Sequence, residues 1–263
     1  DGIERFDEAL ADARSAADTG ALAAEVGPAL LGQDGVARYF IAFVSPSEGR
    51  GTGFIGNYGV LTVTDGTVEL QTVGTNQDLD AAGDDDRTIT GPPDYLDRYA
   101  RFEPQHTWAN VTMTPDGPTA GQVIAEMFPQ SGGEEVDGVI RIDPVGLSRL
   151  LRVTGPVRAE GLPYALDSRN VVHFLQVEQY RLFEVAEERS DLLGVVAQEV
   201  FDALVAGRGP APARLARALG PPIHIVKPNR NELTALVGRE LADERDAVAA
   251  CRQMIDAGQV TCE

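Results

Sequence analysis

Cysteine is scarce in this chain, which has two among its 263 residues, Cys251 and Cys262, both close to the end of the sequence. The first 250 residues therefore hold neither a disulfide nor a thiolate–metal site. Aromatic residues make up only 6% of the chain, so leucine, valine, isoleucine and alanine are expected to supply its core. No apolar run reaches the roughly 18–20 residues that cross a bilayer, so no transmembrane segment is predicted.

Basic residues are also few, because 22 lysines and arginines stand against 41 acidic residues and the formal net charge is -19. A field of this sign repels nucleic acid and anionic lipid, so we expect neither as a partner. The first residues, Asp1-Gly2-Ile3, are not a signal peptide. We therefore expect either a cytoplasmic protein or one whose membrane anchor lies outside this sequence.

Familiar catalytic and metal-binding motifs are missing. The three histidines, His106, His173 and His224, are far apart and have no zinc-ligand spacing, so no zinc site is predicted. The chain also lacks the Gly-x-Ser-x-Gly elbow of α/β-hydrolases and a Walker-type phosphate loop. These absences argue against the commonest hydrolase and nucleotide-binding classes.

Hydrophobic periodicity predicts an α/β protein with a mixed sheet and flanking helices. Apolar runs, and the Asp65-Gly66 turn of a hairpin, predict strands at 39–44, 58–63, 67–73 and 136–143. Spacings of three and four predict helices at 3–17, 119–127, 145–151, 170–184 and 190–206. The polar stretch 74–94 is predicted to be a long exposed loop.

The chain is predicted to have four parts. They are an N-terminal helical segment at 1–32, a main domain at 33–206, a linker rich in glycine and proline at 207–221, and an appended strand–helix fragment at 222–263.

The loop Gly49-Arg50-Gly51-Thr52-Gly53 is the first candidate site. It follows a predicted buried strand, and its backbone N–H groups could form an anion nest to which Arg50 adds charge. The alternative is a plain flexible turn, in which Arg50 neutralises Glu48 or the acidic run at 84–86.

Two further candidates depend on acidic residues. Asp84-Asp85-Asp86 could gather a divalent cation, or could be a solvated loop. Asp137 and Asp143, six apart in a predicted strand, could form a metal or acid–base pair. The alternative is that Asp143, followed by Pro144, caps the next helix.

An ordered set of segments resembles an uncharacterised domain family of actinobacterial envelope proteins, over about residues 30–206. The segments are YFIAF at 39–43, EGRGTGFIG at 48–56, VLTV at 60–63, Asn110 with TPD at 114–116, and VDGVIRIDP at 136–144. The resemblance implies an extracytoplasmic protein.

The same layout is more distantly similar to the LytR–CpsA–Psr phosphotransferases, which move glycopolymers from polyprenyl-pyrophosphate carriers to the cell wall. This similarity implies a fold of that kind, a polyprenyl-phosphate-linked glycan or cell-wall polymer as partner, and Mg²⁺ as cofactor. Arg50, Gly51, Thr52, Gly53, Asn110 and Asp137 are then the candidate ligand-binding residues.

This chain differs from those enzymes at the positions of their metal-binding and catalytic residues. The metal-binding aspartate would fall at 51–53, where there is no acid, and no arginine follows the hairpin at 72–78. The arginine pair of the last helix is also missing at 190–198, with Arg181 and Arg189 as candidate substitutes. The catalytic residues therefore stay unknown.

The segment 222–263 resembles the ribokinase-type (PfkB) sugar kinases, through IVKPNRNEL at 225–233 and LVG at 236–238. The resemblance implies that Asn229 and Glu232 belong to an Asn-x-x-Glu element that holds Mg²⁺ and phosphate, and by itself it implies a cytoplasmic protein. The glycine-rich anion hole and the catalytic aspartate of that family are not in this sequence, so we expect no kinase activity.

Four functions remain open from the sequence. We favour an envelope protein that binds a phosphate-linked lipid carrier or glycan, without established catalysis. The others are an active glycopolymer phosphotransferase, a truncated sugar kinase, and a structural interaction domain without catalysis.

Overall fold

The computed structural model describes residues 28–33, 35–46, 49–83, 86–204 and 225–226. The chain divides into two compact units, one of Asp1–Ala37, Val63–Thr67 and Pro228–Glu263 and the other of Arg38–Thr62 and Val68–Lys227. The predicted boundaries at 32, 206 and 221 stay a prediction.

Five strands of the described residues form one mixed sheet. They are β1 (Ala37–Ser45), β2 (Phe54–Thr64), β3 (Thr67–Thr75), β4 (Gly138–Ile142) and β5 (Ile225–Val226), and they lie in the order β3-β2-β1-β4-β5. β1 and β4 are parallel, with Tyr39 opposite Gly138 and Phe43 opposite Ile142, whereas β4 and β5 are antiparallel. The predicted α/β class, mixed sheet and hairpin are therefore confirmed.

After β3, the helices in the described part of the chain are α1 (Asn76–Ala82), α2 (Pro93–Tyr99), α3 (Gly117–Met127), α4 (Pro144–Thr154), α5 (Val171–His173), α6 (Gln179–Leu182) and α7 (Ala186–Ala203), with a π-helical turn at Phe174–Glu178. The sequence predicts no helix at α1 or α2, whereas the later helices follow the predicted order. Short 3₁₀ turns lie at Ala100–Phe102, Trp108–Asn110 and Pro129–Ser131. The predicted helices at 119–127 and 145–151 are confirmed, and the predicted long helix at 170–184 is the run from α5 to α6.

Aspartate and proline begin both α3 and α4. Asp116 accepts a hydrogen bond from the Thr119 N–H at 2.8 Å, and Asp143 accepts one from the Gly146 N–H at 2.7 Å. Each aspartate satisfies an N–H group that has no partner within its helix. The prediction that Asp143 caps the following helix is confirmed.

The stretch 74–94 is not the exposed loop that its polarity predicts. Helix α1 begins there with a capping box, in which the Thr75 hydroxyl accepts from the Asp78 N–H and the Asp78 carboxylate accepts from the Thr75 N–H. Farther along, the Arg87 side chain is buried, and the Glu126 carboxylate accepts from the Thr90 N–H and the Gly91 N–H. Partners distant in sequence therefore hold down a segment that has no hydrophobic periodicity of its own.

In the part of the chain that the structure describes, the hydrophobic core consists of two clusters. The first has an aromatic centre. The centroid of the Phe40 ring lies 5.3 Å from that of Tyr58, 5.8 Å from that of Trp108 and 5.0 Å from that of Phe128. The second is mainly aliphatic and includes residues of α4 and α7, such as Leu151 and Val196, packed with the segment around Phe174. Leucine, valine, isoleucine and alanine supply most of both clusters, as expected, but the aromatic centre of the first cluster was not predicted.

The tip of the β2–β3 hairpin is fixed within the first unit. The Asp65 N–H donates to the Gly32 carbonyl at 3.2 Å, and the Gly66 N–H donates to the Leu31 carbonyl at 2.8 Å. The predicted helix at 3–17, the linker at 207–221 and most of the predicted fragment at 222–263 lie outside the described residues. In that fragment only the two residues of β5 are described, and they pair with β4.

Candidate functional site

The loop that follows β1 is held closely against a second loop at 109–115. The Thr52 N–H donates to the Thr112 carbonyl at 3.2 Å. A Cβ atom at Gly51 would lie 2.4 Å from the Thr114 carbonyl carbon, so only glycine fits there without movement of the backbone. Gly53 has φ of 93°, a conformation that favours glycine. The predicted candidate loop therefore has a fixed shape.

Arg50 and Asn110, two predicted site residues 60 positions apart, are in direct contact. The Arg50 Nη2 donates to Asn110 Oδ1 at 3.0 Å, and its Nε donates to the Ala109 carbonyl at 2.9 Å. Asn110 in turn donates from Nδ2 to the Phe102 carbonyl at 2.7 Å. The Arg50 guanidinium thus joins the two loops, a role that the sequence did not indicate. Of the acids proposed as its partners, which are Glu48 and the run 84–86, Glu48, Asp84 and Asp85 lie outside the described residues.

A narrow cleft of about 20 Å³ lies beside these loops. Its walls come from β1, β4 and α3, and they are mainly small and apolar. The polar residues that line it are Thr52, Thr112 and Arg141. A volume of this size holds about one water-sized group.

Arg141 is a candidate residue that the sequence reasoning missed. It lies near the end of β4, and its Nη1 donates to the Thr52 carbonyl at 3.0 Å. A guanidinium carries five N–H donors, of which this contact uses one. The available signal was a lone charge in the apolar run 138–142, two residues after Val139 and so on the same face of the strand.

Thr112 is the second residue that the sequence did not single out. Its side chain is 1% exposed, and within the described part of the chain its Oγ1 atom has no hydrogen-bond partner. No sequence pattern indicates this, because Thr112 lies in a loop and its burial depends on residues that are distant in sequence, such as Thr52.

Asp137 lies at the opposite end of the sheet from the Arg50 loop. Its Oδ2 accepts from the Arg38 N–H at 2.8 Å. Arg38 lies at the start of β1, and Asp137 lies just before β4. The structure therefore does not bring Asp137 together with the other predicted site residues, and Asp143 is engaged as a helix cap. Asn229 and Glu232, the kinase-like pair, lie outside the described residues.

Tyr95 supports the second loop from inside the core. Its hydroxyl donates to the Val111 carbonyl at 2.9 Å, and burial, followed by the nearby Tyr99, raises the pKa of Tyr95 above its ordinary value. The hydroxyl therefore remains a donor at all physiological pH values.

Among the described residues, no three His, Cys, Asp or Glu side chains lie together as metal ligands. The Arg50 loop has no acid at 51–53, so it does not fit the Mg²⁺ ion that the resemblance implies, because Mg²⁺ prefers carboxylate and phosphate oxygens. In the same part of the chain, no helix has both the length and the apolar character that a membrane span requires.

Together these features define a mixed α/β domain with an arginine-bearing cleft at the C-terminal end of two parallel strands. Residues 34–180, more than half of the chain, match the family described as "Protein of unknown function (DUF4012)". The chain belongs to this DUF4012 family. None of the curated proteins compared with the chain matches it.

Three solved structures of bacterial proteins are similar to the chain. Protein gbs0355 from Streptococcus agalactiae has a TM-score of 0.43 and 12% identity, covering 81% of this chain and 74% of that one. Lin1025 from Listeria innocua has a TM-score of 0.38 and 11% identity, covering 86% and 99%. The transcriptional regulator yvhJ from Bacillus subtilis has a TM-score of 0.33 and 7% identity, covering 86% and 98%. Likeness this distant gives no indication of function.

Proposed function

We propose that this chain is an extracytoplasmic envelope protein whose cleft binds the phosphate group of a lipid carrier or glycan. The observation that carries the proposal is the contact between Arg141 and the Thr52 carbonyl, which joins the end of β4 to the loop after β1. Open α/β sheets bind ligands outside the carboxyl ends of their strands, which is where this contact lies.

The net charge of the chain favours an anion site that depends on a local cation over nonspecific attraction of anions by the whole surface. The chain carries a formal net charge of -19, so an anionic ligand is repelled unless a local cation offsets that field. A guanidinium can bind phosphate through two parallel hydrogen bonds, and Arg141 has donors beyond the one that contacts Thr52. Arg141 is therefore the proposed phosphate-binding residue.

The resemblance to LytR–CpsA–Psr phosphotransferases supports the ligand class, the related fold and the location outside the cytoplasmic membrane. We propose binding without phosphoryl transfer, because the segment 51–53 has no acid to hold a metal ion. Fractionation of cells that express the natural gene tests the location, and recovery of the protein in the cytoplasm alone contradicts it.

A structural interaction domain is the second candidate function. The observation that favours it is the contact of Arg50 with the Ala109 carbonyl and the Asn110 side chain, which gives this arginine a role in the fold. We also propose that the segment 222–263 is a kinase-like fragment without kinase activity. Turnover of ATP with fructose 6-phosphate by the full chain would contradict that part.

Calorimetric titration of the full chain with farnesyl phosphate, at fixed ionic strength, tests the binding proposal. We expect saturable binding of farnesyl phosphate and none of farnesol, which has the same chain without the phosphate. Loss of a hydrogen bond to a charged group predicts that Arg141→Gln weakens binding roughly ten- to a hundredfold.

Arg158→Gln is the matched control, because Arg158 is exposed and its loss changes the net charge equally. We expect this variant to bind farnesyl phosphate as the wild type does. Absence of saturable binding by the wild type, or equal weakening in both variants, would contradict the proposal and favour the structural interaction domain.

A further inference from the structure

The Thr112 hydroxyl is an exception among the buried hydroxyl groups of the described residues. The neighbouring Thr114 accepts from the Asp116 N–H at 3.1 Å, and Ser148 donates to the Ser168 carbonyl at 2.7 Å. Thr112 is as buried as these residues, yet among the described residues no donor or acceptor meets its Oγ1 atom. A buried hydroxyl without a partner is unfavourable, so its presence requires an explanation.

Asn57 and Gln179 also have unpaired buried oxygen atoms in the described part of the chain, but their situation differs. The Asn57 Nδ2 donates to the Ser190 carbonyl at 2.9 Å, and the Gln179 Nε2 donates to the Leu175 carbonyl. Each of these side chains is therefore held through its nitrogen. Thr112 has a single polar side-chain atom, so nothing within the described fold accounts for its hydroxyl.

Two hydrogen bonds connect Arg141, through Thr52, to the backbone carbonyl of Thr112. Arg141 Nη1 donates to the Thr52 carbonyl at 3.0 Å, and the Thr52 N–H donates to the Thr112 carbonyl at 3.2 Å. All three residues line the cleft. A guanidinium, of whose five N–H donors one contacts Thr52, and the residue with the unpaired buried hydroxyl thus line the same small cleft.

The N-terminus of α3 does not explain the site. Asp116 caps that helix and accepts from the Thr119 N–H, so its carboxylate already engages the end of the helix nearest the cleft. A negative charge at this position disfavours an anion held by the helix itself. The site therefore depends on Arg141 and Thr112.

We propose that Thr112 is a ligand-contacting residue, whose hydroxyl donates to one oxygen of a phosphate group bound by Arg141. The proposal rests on the proposed function and adds Thr112 as a residue that donates a hydrogen bond to a phosphate oxygen. The cleft of about 20 Å³ admits one oxygen-sized group, so a single phosphate oxygen enters and the rest of the ligand stays outside.

The variant Thr112→Val tests this assignment, because it replaces the hydroxyl by a methyl group. Loss of one hydrogen bond predicts binding of farnesyl phosphate that is weaker by about three- to tenfold. The melting temperature should stay the same or rise, since no bond within the chain is lost and an unpaired buried hydroxyl is removed. Thr112→Ser, which keeps a hydroxyl, should restore the affinity.

Thr114→Val is the control for loss of a buried threonine hydroxyl. The Thr114 hydroxyl has a partner within the chain, so we expect a lower melting temperature and unchanged affinity for farnesyl phosphate. A clear fall in the melting temperature of Thr112→Val would instead show that its hydroxyl supports the fold, and would overturn the proposal.

Titrations with farnesyl phosphate and with inorganic phosphate separate this inference from the proposed function. If farnesyl phosphate binds the wild type and Thr112→Val equally, the role of Thr112 is overturned and the proposed function stands. If only inorganic phosphate binds, and more weakly to Thr112→Val, the Thr112 site stands and the lipid-carrier function fails. If neither binds the wild type, both are overturned.

Discussion

Arg87 donates from Nη1 to Ser131 Oγ at 3.2 Å, across 44 positions of sequence. The same Ser131 hydroxyl accepts from Trp108 Nε1 at 2.9 Å, and Arg87 also donates to the Leu79 carbonyl and the Gln105 carbonyl, each at 2.9 Å. One buried guanidinium therefore connects the end of α1, the loop before Trp108 and the turn after α3. Arg87 itself lies in the stretch 74–94, which the sequence predicts to be an exposed loop.

Arg87→Met should destabilise the fold, because the Leu79 and Gln105 carbonyls lose the Arg87 donor and Ser131 Oγ keeps only the hydrogen bond from Trp108. Unpaired buried polar groups predict a free energy of unfolding lower by about 1–3 kcal/mol, measured by urea denaturation. The control is Arg98→Met, since Arg98 is 69% exposed and its Nη2 lies 3.9 Å from Asp94 Oδ2. An exposed pair of this kind contributes about 0–1 kcal/mol. Equal effects of the two substitutions would show that Arg87 has no special structural role.

Arg50→Lys should lower stability as well as any ligand affinity. A lysine ammonium cannot reproduce both the Ala109 and the Asn110 contacts of the guanidinium. We expect a loss of about 0.5–1.5 kcal/mol in the free energy of unfolding. A double-mutant cycle with Asn110→Ala measures the pair directly, and strictly additive effects would contradict a contact between them.

Asp143→Ala should remove the cap of α4. Loss of an N-cap predicts a free energy of unfolding lower by about 0.5–2 kcal/mol, whereas Asp143→Asn should be close to neutral because asparagine caps equally well. Neither variant should alter binding of farnesyl phosphate, since this carboxylate is engaged with the Gly146 N–H. If the wild type binds Mg²⁺ and Asp143→Ala does not, the alternative of a metal pair between Asp143 and Asp137 would be favoured instead.

The Tyr164 hydroxyl, which donates to the Glu178 carboxylate, predicts a pH dependence at high pH. Burial, and then the hydrogen bond and charge of Glu178, raise the pKa of Tyr164 from 10.0 to about 12. The folded state therefore keeps a proton that the unfolded state releases near pH 10. The stabilisation is complete below that pH and is lost as the pH rises toward 12.

Denaturation of the wild type and of Tyr164→Phe along an alkaline pH series measures this contribution. The difference in free energy of unfolding between the two should shrink as pH rises through that window. A difference that stays constant would show that the Glu178 contact does not hold the tyrosine proton.

The sequence alone determined the elements that short-range chemistry specifies. Asp65-Gly66 predicts the hairpin because both residues can adopt positive φ, and the structure gives them φ of 49° and 76°. Asp143-Pro144 predicts the start of α4 because the cap and its N–H partner are three residues apart. Likewise, the run 39–44 predicts a buried strand because burial on both faces requires a continuous apolar segment.

Only the tertiary structure decided the partners of the polar residues. Arg50 meets Asn110 across 60 positions, Arg141 meets Thr52 across 89, and Arg87 meets Ser131 across 44. No local pattern encodes such pairs, because the parallel pairing of β1 with β4 and the placement of α3 bring their loops together. The candidate cleft and the unpaired Thr112 hydroxyl arise in the same way, since burial of a loop residue depends on segments that the chain supplies far away in sequence.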